Sequence, residues 1–273
     1  MACNLIHRFG ASGGGTPVNA YIVEGASGCV VLDSTLTVSD GRALRARIDE
    51  LGKPLLGAFI THAHPDHYGA LVALMEGLDV PVFATEGVAR TIERDDPVKE
   101  GILRPMIGDE WAAERVFPDS IVADGETVSL EGISLRVTDL GPGESPHDSI
   151  WWLEGGGGRQ VFSGDLAYDR RHCYLADGFH REWRANIDRA RREFPSGVTL
   201  HPGHGLPCGT EVLDWQEGYI TTFLDAVARA DWSDPDAARA TVAATMLEYL
   251  PTDELRFLME LSIDPIAAQL SVR

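Results

Sequence analysis

His62, His64, Asp66 and His67 place four potential metal ligands within six residues of this 273-residue chain. Neutral imidazole and carboxylate suit zinc, iron or manganese, with ligand distances of roughly 2.0–2.2 Å for zinc. At the end of an extended strand His62 and His64 point to the same side, because side chains alternate with period two. Pro65 then breaks the strand, so Asp66 and His67 can face a neighbouring position at the start of a helix. That arrangement suits two adjacent cations better than one. Two later segments offer more ligands: Asp165 in Ser163-Gly164-Asp165-Leu166, and His204 in His201-Pro202-Gly203-His204-Gly205. An ordinary polar turn would explain either segment alone. After the first motif, they point to one metal cluster.

The chemistry of such a cluster is hydrolysis. A cation lowers the pKa of bound water from about 15.7 towards 7. The resulting hydroxide attacks a carbonyl, phosphoryl or sulfuryl centre, and the cations stabilise the oxyanion. Asp66 is then the catalytic candidate, orienting the water or passing its proton to the leaving group. No serine or cysteine nucleophile is required, and Gly143-Glu144-Ser145-Pro146 lacks the closing glycine of a nucleophile elbow.

These residues need strands and helices to hold them. Residues 19–23 and 29–33 read as successive strands. A helix follows that Ser39 or Asp40 can cap, with Leu44, Ile48 and Leu51 on one face and Gly52 then Pro54 as stop signals. Leu55 to Thr61 reads as a buried strand ending in the histidine motif, and Val80 to Phe83 as the next strand, with a mainly helical region to about Phe117. Ile133, Leu135 and Val137 alternate with polar residues as in a half-buried strand. Ser149 to Leu153 and Gln160 to Ser163 bracket Gly155-Gly156-Gly157-Gly158 and resemble a hairpin, in which Trp151 and Trp152 face opposite ways. Trp183 to Glu193 reads as a helix, Val198 to Leu200 as a last strand, and the chain beyond Gly209 as helical. Gly13-Gly14-Gly15 lacks the lysine and hydroxyl residue of a phosphate loop. Strands and helices alternate, which indicates a layered α/β architecture, and the ligand segments fall where strands end.

Composition narrows the partners. The chain is 44% hydrophobic, as in ordinary globular proteins, and no apolar run is long enough to span a bilayer. It carries 23 basic and 42 acidic residues, a net charge of −19. Such a surface repels nucleic acid and anionic membranes, which leaves a small-molecule substrate as the expected partner. The N-terminus lacks a secretion signal, and a cytoplasmic location is expected. Cys3, Cys29, Cys173 and Cys208 are widely spaced, with no Cys-x-x-Cys pair, and are expected to be buried, reduced thiols.

His62-x-His64-x-Asp66-His67, the Gly164-Asp165 pair after a strand and His201-x-Gly203-His204-Gly205 together resemble the metallo-β-lactamase superfamily. Residues 19–33 are similar to its opening strands, and the motifs span about two thirds of the chain. The resemblance implies an αββα sandwich over residues 1–209, with residues 210–273 as a helical extension packed on the same domain. That extension could also close one rim of the pocket or form a dimer surface; the sequence does not select, and it leaves the oligomeric state open. The resemblance further implies two divalent cations, zinc in the first instance with iron or manganese as alternatives. His62 and His64 would hold the first and Asp66, His67 and His204 the second, with Asp165 between them and His201 structural.

One departure stands out. Where many members have a histidine ligand after Pro-Gly, this chain reads Gly141-Pro142-Gly143-Glu144-Ser145-Pro146-His147. Either Glu144 completes the first position, which the flanking residues favour, or the loop shifts and His147 does. A glutamate brings a third carboxylate, lowers the positive charge of the loaded site and favours harder metals or uncharged substrates. His147 then becomes a pocket residue. Tyr168, His172, Tyr174 and Trp183 follow the bridging aspartate, in a segment long enough to cover a pocket, and His172 is a candidate substrate contact. The expected reaction is attack of a metal-bound hydroxide on a lactone, thioester or other ester, ahead of a β-lactam. The alternatives are a mononuclear-iron oxygenase acting on persulfides, a phosphodiester hydrolase, and a metal-binding module without activity.

Overall fold

In β2 (Asn19–Glu24), Tyr21 and Val23 face one side and Ala20 and Ile22 the other, and all four are buried. A strand covered on both faces belongs to an inner layer. The computed structural model, which describes residues 4–11, 16–155 and 159–270, places it in the first of two sheets. That sheet runs β1 (Leu5–Gly10), β2, β3 (Cys29–Leu32), β4 (Leu55–Phe59), β5 (Val82–Ala84), β6 (Ser120–Ile121) in spatial order. Its first three strands are antiparallel and the rest parallel. The second sheet holds β7 (Thr127–Leu130), β8 (Ile133–Gly141), β9 (Asp148–Glu154), β10 (Arg159–Gly164) and β11 (Val198–Pro202), with only the β10–β11 pair parallel.

Helices cover both outer faces. On the first sheet lie α1 (Val38–Asp49), α2 (Pro65–Tyr68), α3 (Leu71–Leu74) and α4 (Glu86–Ile107), whose Leu44, Tyr68, Leu71 and Ile92 share a buried cluster with Ile22 and Val31. On the second lie α5 (His180–Glu193), α6 (Glu211–Arg229), α7 (Pro235–Tyr249) and α8 (Arg256–Gln269), whose Ile187, Phe223, Met246 and Ile263 pack with Ile150, Val161 and Leu200. The C-terminal helices therefore share the core of the second sheet's outer face. Between the sheets, Leu32, Phe59, Leu135, Trp151 and Phe162 form the middle layer. Trp151 meets Phe59 edge-on at 5.0 Å, a geometry worth about 0.5–1.5 kcal/mol beyond the buried area. Trp152 takes the opposite face, half-buried against Phe194. The architecture is an αββα sandwich with a helical extension.

Several local expectations need correction. The N-cap of α1 is Thr37, whose hydroxyl accepts from the Asp40 amide, so Ser39 and Asp40 lie inside the first turn. β4 stops at Phe59, beyond which the Ile60 amide still bonds the Phe83 carbonyl while the Ile60 and Thr61 carbonyls accept from Trp151 and Ser149 of the second sheet. α5 begins three residues before Trp183, at His180. Cys29 and Cys173 are buried, whereas Cys208 is half-exposed where a single bridge to Leu200 begins to leave the sheet. Cys3, Gly13-Gly14-Gly15 and residues 156–158 lie outside the described residues. No helix of the described residues is long and apolar enough to cross a membrane.

Candidate metal centre

The ends of β3, β4, β10 and β11 and the β8–β9 loop meet at one edge of the sandwich. Three bonds stitch the two sheets together there: the Ser149 amide and hydroxyl both donate to the Thr61 carbonyl, and the Trp151 indole donates to that of Ile60. His62 itself forms a lone bridge to Asp148. Two glycines make the closeness possible. A Cβ on Gly164 would sit 2.7 Å from the Thr61 hydroxyl, and one on Gly203 would strike the Asp165 carboxylate and the His67 ring, so both positions exclude side chains. Asp148 shapes the β8–β9 loop by accepting from the Glu144 amide at 2.6 Å and the Ser145 amide at 3.1 Å.

Seven side chains converge in this setting. His62 Nε2 lies 3.5 Å and His64 Nδ1 2.8 Å from Glu144 Oε2. His204 Nε2 lies 3.4 Å, and His67 Nε2 3.9 Å, from Asp66 Oδ2. Asp165 stands between the groups: its Oδ2 is 3.8 Å from His62 and 3.2 Å from His204, and its Oδ1 is 3.6 Å from His67. Each imidazole uses its other nitrogen on a fixed partner. His67 Nδ1 bonds Asp33 at 2.8 Å, His204 Nδ1 donates to the Pro17 carbonyl at 2.6 Å, His62 Nδ1 meets the Thr61 hydroxyl at 3.0 Å, and His64 Nε2 meets Asp177 at 3.0 Å. One nitrogen anchored and the other aimed inward is how metal-binding histidines are oriented.

The donors fit a cation. His62 Nε2, His67 Nε2 and Asp165 Oδ1 are buried and make no hydrogen bond, and Glu144 Oε2 is buried facing the His62 and His64 rings. Buried polar atoms are almost always partnered, so unpartnered donors within these converging groups suit a bound cation. Titration reflects the same demand for positive charge. Burial opposes protonation of His64, His67 and His204, yet the facing carboxylates win and raise all three, His204 to about 10. Burial and the neighbouring His67 lower His62. Burial pushes Glu144 up against the pull of His64, while His204 and His67 hold Asp165 well below its usual range despite burial. A cation entering here displaces protons from the imidazoles.

The sequence profile of the metallo-beta-lactamase superfamily matches residues 13–204. The chain belongs to that superfamily. Its relatives include the type 2 metallo-beta-lactamase of Bacteroides fragilis, 23% identical over 220 residues that cover 79% of this chain and 80% of that protein. The Bacillus subtilis strain 168 protein named "Probable metallo-hydrolase YqgX" is 27% identical over 73% of this chain and 89% of its own. Among solved structures, a metallo-beta-lactamase family protein of Thermus thermophilus superposes with a TM-score of 0.68 at 20% identity, covering 98% of this chain and 93% of that one. This last likeness is one of fold. The superfamily is one of metallo-hydrolases, and His and Asp side chains of this chain are positioned to bind metal.

As a superfamily member the chain brings Glu144 among the converging donors and leaves His147 outside them. His147 packs against Gly87 and bonds Asp139 at 2.8 Å, which turns its ring from the cluster. His172 is also turned away: its nitrogens bond the Tyr219 hydroxyl at 2.9 Å and the Thr252 carbonyl at 3.0 Å. His201 is stacked on Phe162 and bonds Gln160, outside the cluster. Tyr168 and Tyr174 line a cavity of about 360 Å³ whose floor holds His64, Asp66, Asp165 and His204, whereas Trp183 is buried with its indole on the Leu166 carbonyl. Sequence reasoning missed three supports. Asp33, at a positive φ of 59°, anchors both Thr61 and His67. Asp177 anchors His64, and the Tyr168 hydroxyl donates to Glu144 Oε1 at 2.8 Å while its ring stacks on His204. An aspartate closing a strand was visible for Asp33; the other two contacts join distant loops and leave no local signal.

Proposed function

We propose that the protein hydrolyses small uncharged carbonyl compounds, namely lactones, thioesters or other esters, with β-lactams less favoured. The observation that carries this reading is the convergence of seven imidazole and carboxylate side chains, four of which, His64, Asp66, Asp165 and His204, line a cavity large enough for a small molecule. His62, His64 and Glu144 would hold one divalent cation and Asp66, His67 and His204 the other, with Asp165 reaching both. When bound, the cations supply acidified water and polarise the carbonyl oxygen. Asp66 lines the cavity and would accept a hydrogen bond from the attacking water, fixing its direction. Tyr168 would keep Glu144 in place through its hydroxyl.

The complete Asp66, His67 and His204 group weighs against a single-iron oxygenase acting on persulfides. The net charge of −19 weighs against phosphodiester substrates such as nucleic acid. Zinc is the first choice of metal, and the Glu144 carboxylate moves the site towards harder cations, iron or manganese. The test strips the protein with a chelator, restores zinc, manganese or iron in turn, and follows a chromogenic ester, lactone, thioester, β-lactam and phosphodiester. Ester or lactone turnover that disappears with the metal and returns with it is expected. Turnover untouched by chelation, or of the phosphodiester alone, would sink the proposal.

A further inference from the structure

Two helices from opposite layers of the sandwich send apolar side chains into the cavity above the metal-ligand cluster. Ile102 and Met106 stand four residues apart on α4, and Phe257, Leu261 and Pro265 stand at the same spacing on α8. Residues four apart share one helix face, so each helix presents a stripe to the cavity. These side chains are not core. Met106 is 69% exposed and Leu261 59%, with Ile102 and Phe257 also exposed. Exposed apolar side chains scattered singly mean little, but a facing pair of stripes continuous with a site indicates a ligand surface. The polar groups of the cavity lie mainly at its floor, and Lys99, the one Lys or Arg among its described lining residues, is drawn electrostatically to Asp177. The walls thus offer a substrate tail hydrophobic contact and little for a charge.

From this we infer that the substrate is an acyl compound with an aliphatic chain, its carbonyl at the cluster and its chain lying between α4 and α8. The inference rests on the carbonyl-hydrolase reading and names the substrate class within it. α8 then serves as a specificity wall contributed by the C-terminal extension.

The experiment measures kcat/KM for straight-chain p-nitrophenyl esters from acetate to decanoate on metal-loaded protein. Calorimetric binding of the matching free carboxylates from butyrate to decanoate is measured in parallel. Burying each added methylene should raise kcat/KM and affinity about twofold to fourfold until the cavity is filled. The double variant Met106→Ser with Leu261→Ser changes two exposed side chains, and it should flatten both slopes. Turnover of esters with no dependence on chain length, in kinetics and in binding, overturns the chain seat while leaving the hydrolase reading intact. Binding that tightens with length in a protein that turns over no ester supports the seat and removes the hydrolase reading. A dimer that the double variant dissolves, with wild-type slopes unchanged by the substitutions, assigns the stripes to a second copy and overturns the inference.

Discussion

The two halves of the proposed metal centre are anchored differently. In the half made by Asp66, His67 and His204, the outer nitrogens bond Asp33, at the end of β3, and the Pro17 carbonyl, just before β2. Both supports adjoin strands of the first sheet, as does Thr61, which meets His62 of the other half. In the half made by His62, His64 and Glu144, the supports of His64 and Glu144 are Asp177 and Tyr168, which bound one segment between β10 and α5. That segment also gives Tyr174 to the cavity wall, edge-on to the His64 ring at 5.3 Å. One position is therefore fixed by the fold, and the other is tied to the surface that meets substrate. Supports built on regular elements hold a site more tightly than supports on loops. The second half should keep its geometry when the cavity wall is altered, and the first should not.

Asp165 is the residue on which this contrast disappears, since it approaches both groups. Asp165→Ala should therefore give the largest effect. On the proposed two-cation reading, metal content should fall below stoichiometric at both positions, and kcat/KM should drop on the order of 10³-fold or more, the loss of several kcal/mol of charge stabilisation. Metal content measured with turnover checks this. A variant that retains one full equivalent of metal would show that Asp165 serves one half alone.

Asp33→Asn and Asp177→Asn form a matched pair that sharpens the comparison. Each leaves a ligand histidine with an amide where it had a carboxylate, and loss of such a support typically costs 10–100-fold in metal affinity. Asp33→Asn should weaken the second half most, through His67, with a smaller loss in the first through Thr61, whose hydroxyl meets His62. It should also cost about 1–3 kcal/mol of stability, because the buried amide cannot accept from Thr61 and His67 as the carboxylate does. Asp177→Asn should weaken the first half only, with less than about 1 kcal/mol of stability lost, since Asp177 is partly exposed. Stepwise chelator competition and thermal melts separate the two. Equal losses at both positions in either variant would mean that the halves are not independently supported.

Much of this was legible in the sequence, and the reason is periodicity. His62 and His64 alternate at a strand end, Pro65 starts the helix that carries Asp66 and His67, and Gly-bounded turns follow β10 and β11. Such signals are local. β1, β6 and β7 were not anticipated; β6 has only two residues and β7 alternates between exposed and half-buried, so neither has a distinct apolar pattern. The placement of Glu144 among the donors and of His147 outside them could not be read from spacing, because it depends on Asp148 folding the loop back and Asp139 drawing His147 outward. Asp177 and Tyr168 lie 113 and 24 residues from the side chains they support, too far for any motif to register.

Tyr168→Phe is the mildest test of the same contrast. The ring, its stacking on His204 at 4.7 Å and its place in the cavity wall all survive, and only the hydroxyl bond to Glu144 Oε1 goes. A hydrogen bond to a charged group contributes about 1.5–3 kcal/mol, and part of that is offset here by repacking around the vacated oxygen. The freed carboxylate can rotate, so the first half should bind its metal about threefold to tenfold more weakly, while the second half keeps its affinity because His204 remains held by Pro17. If the second half weakens instead, the contribution of Tyr168 lies in its ring against His204. The supports of the two halves would then meet in one side chain, and the separation between frame and cavity wall would fail at that point.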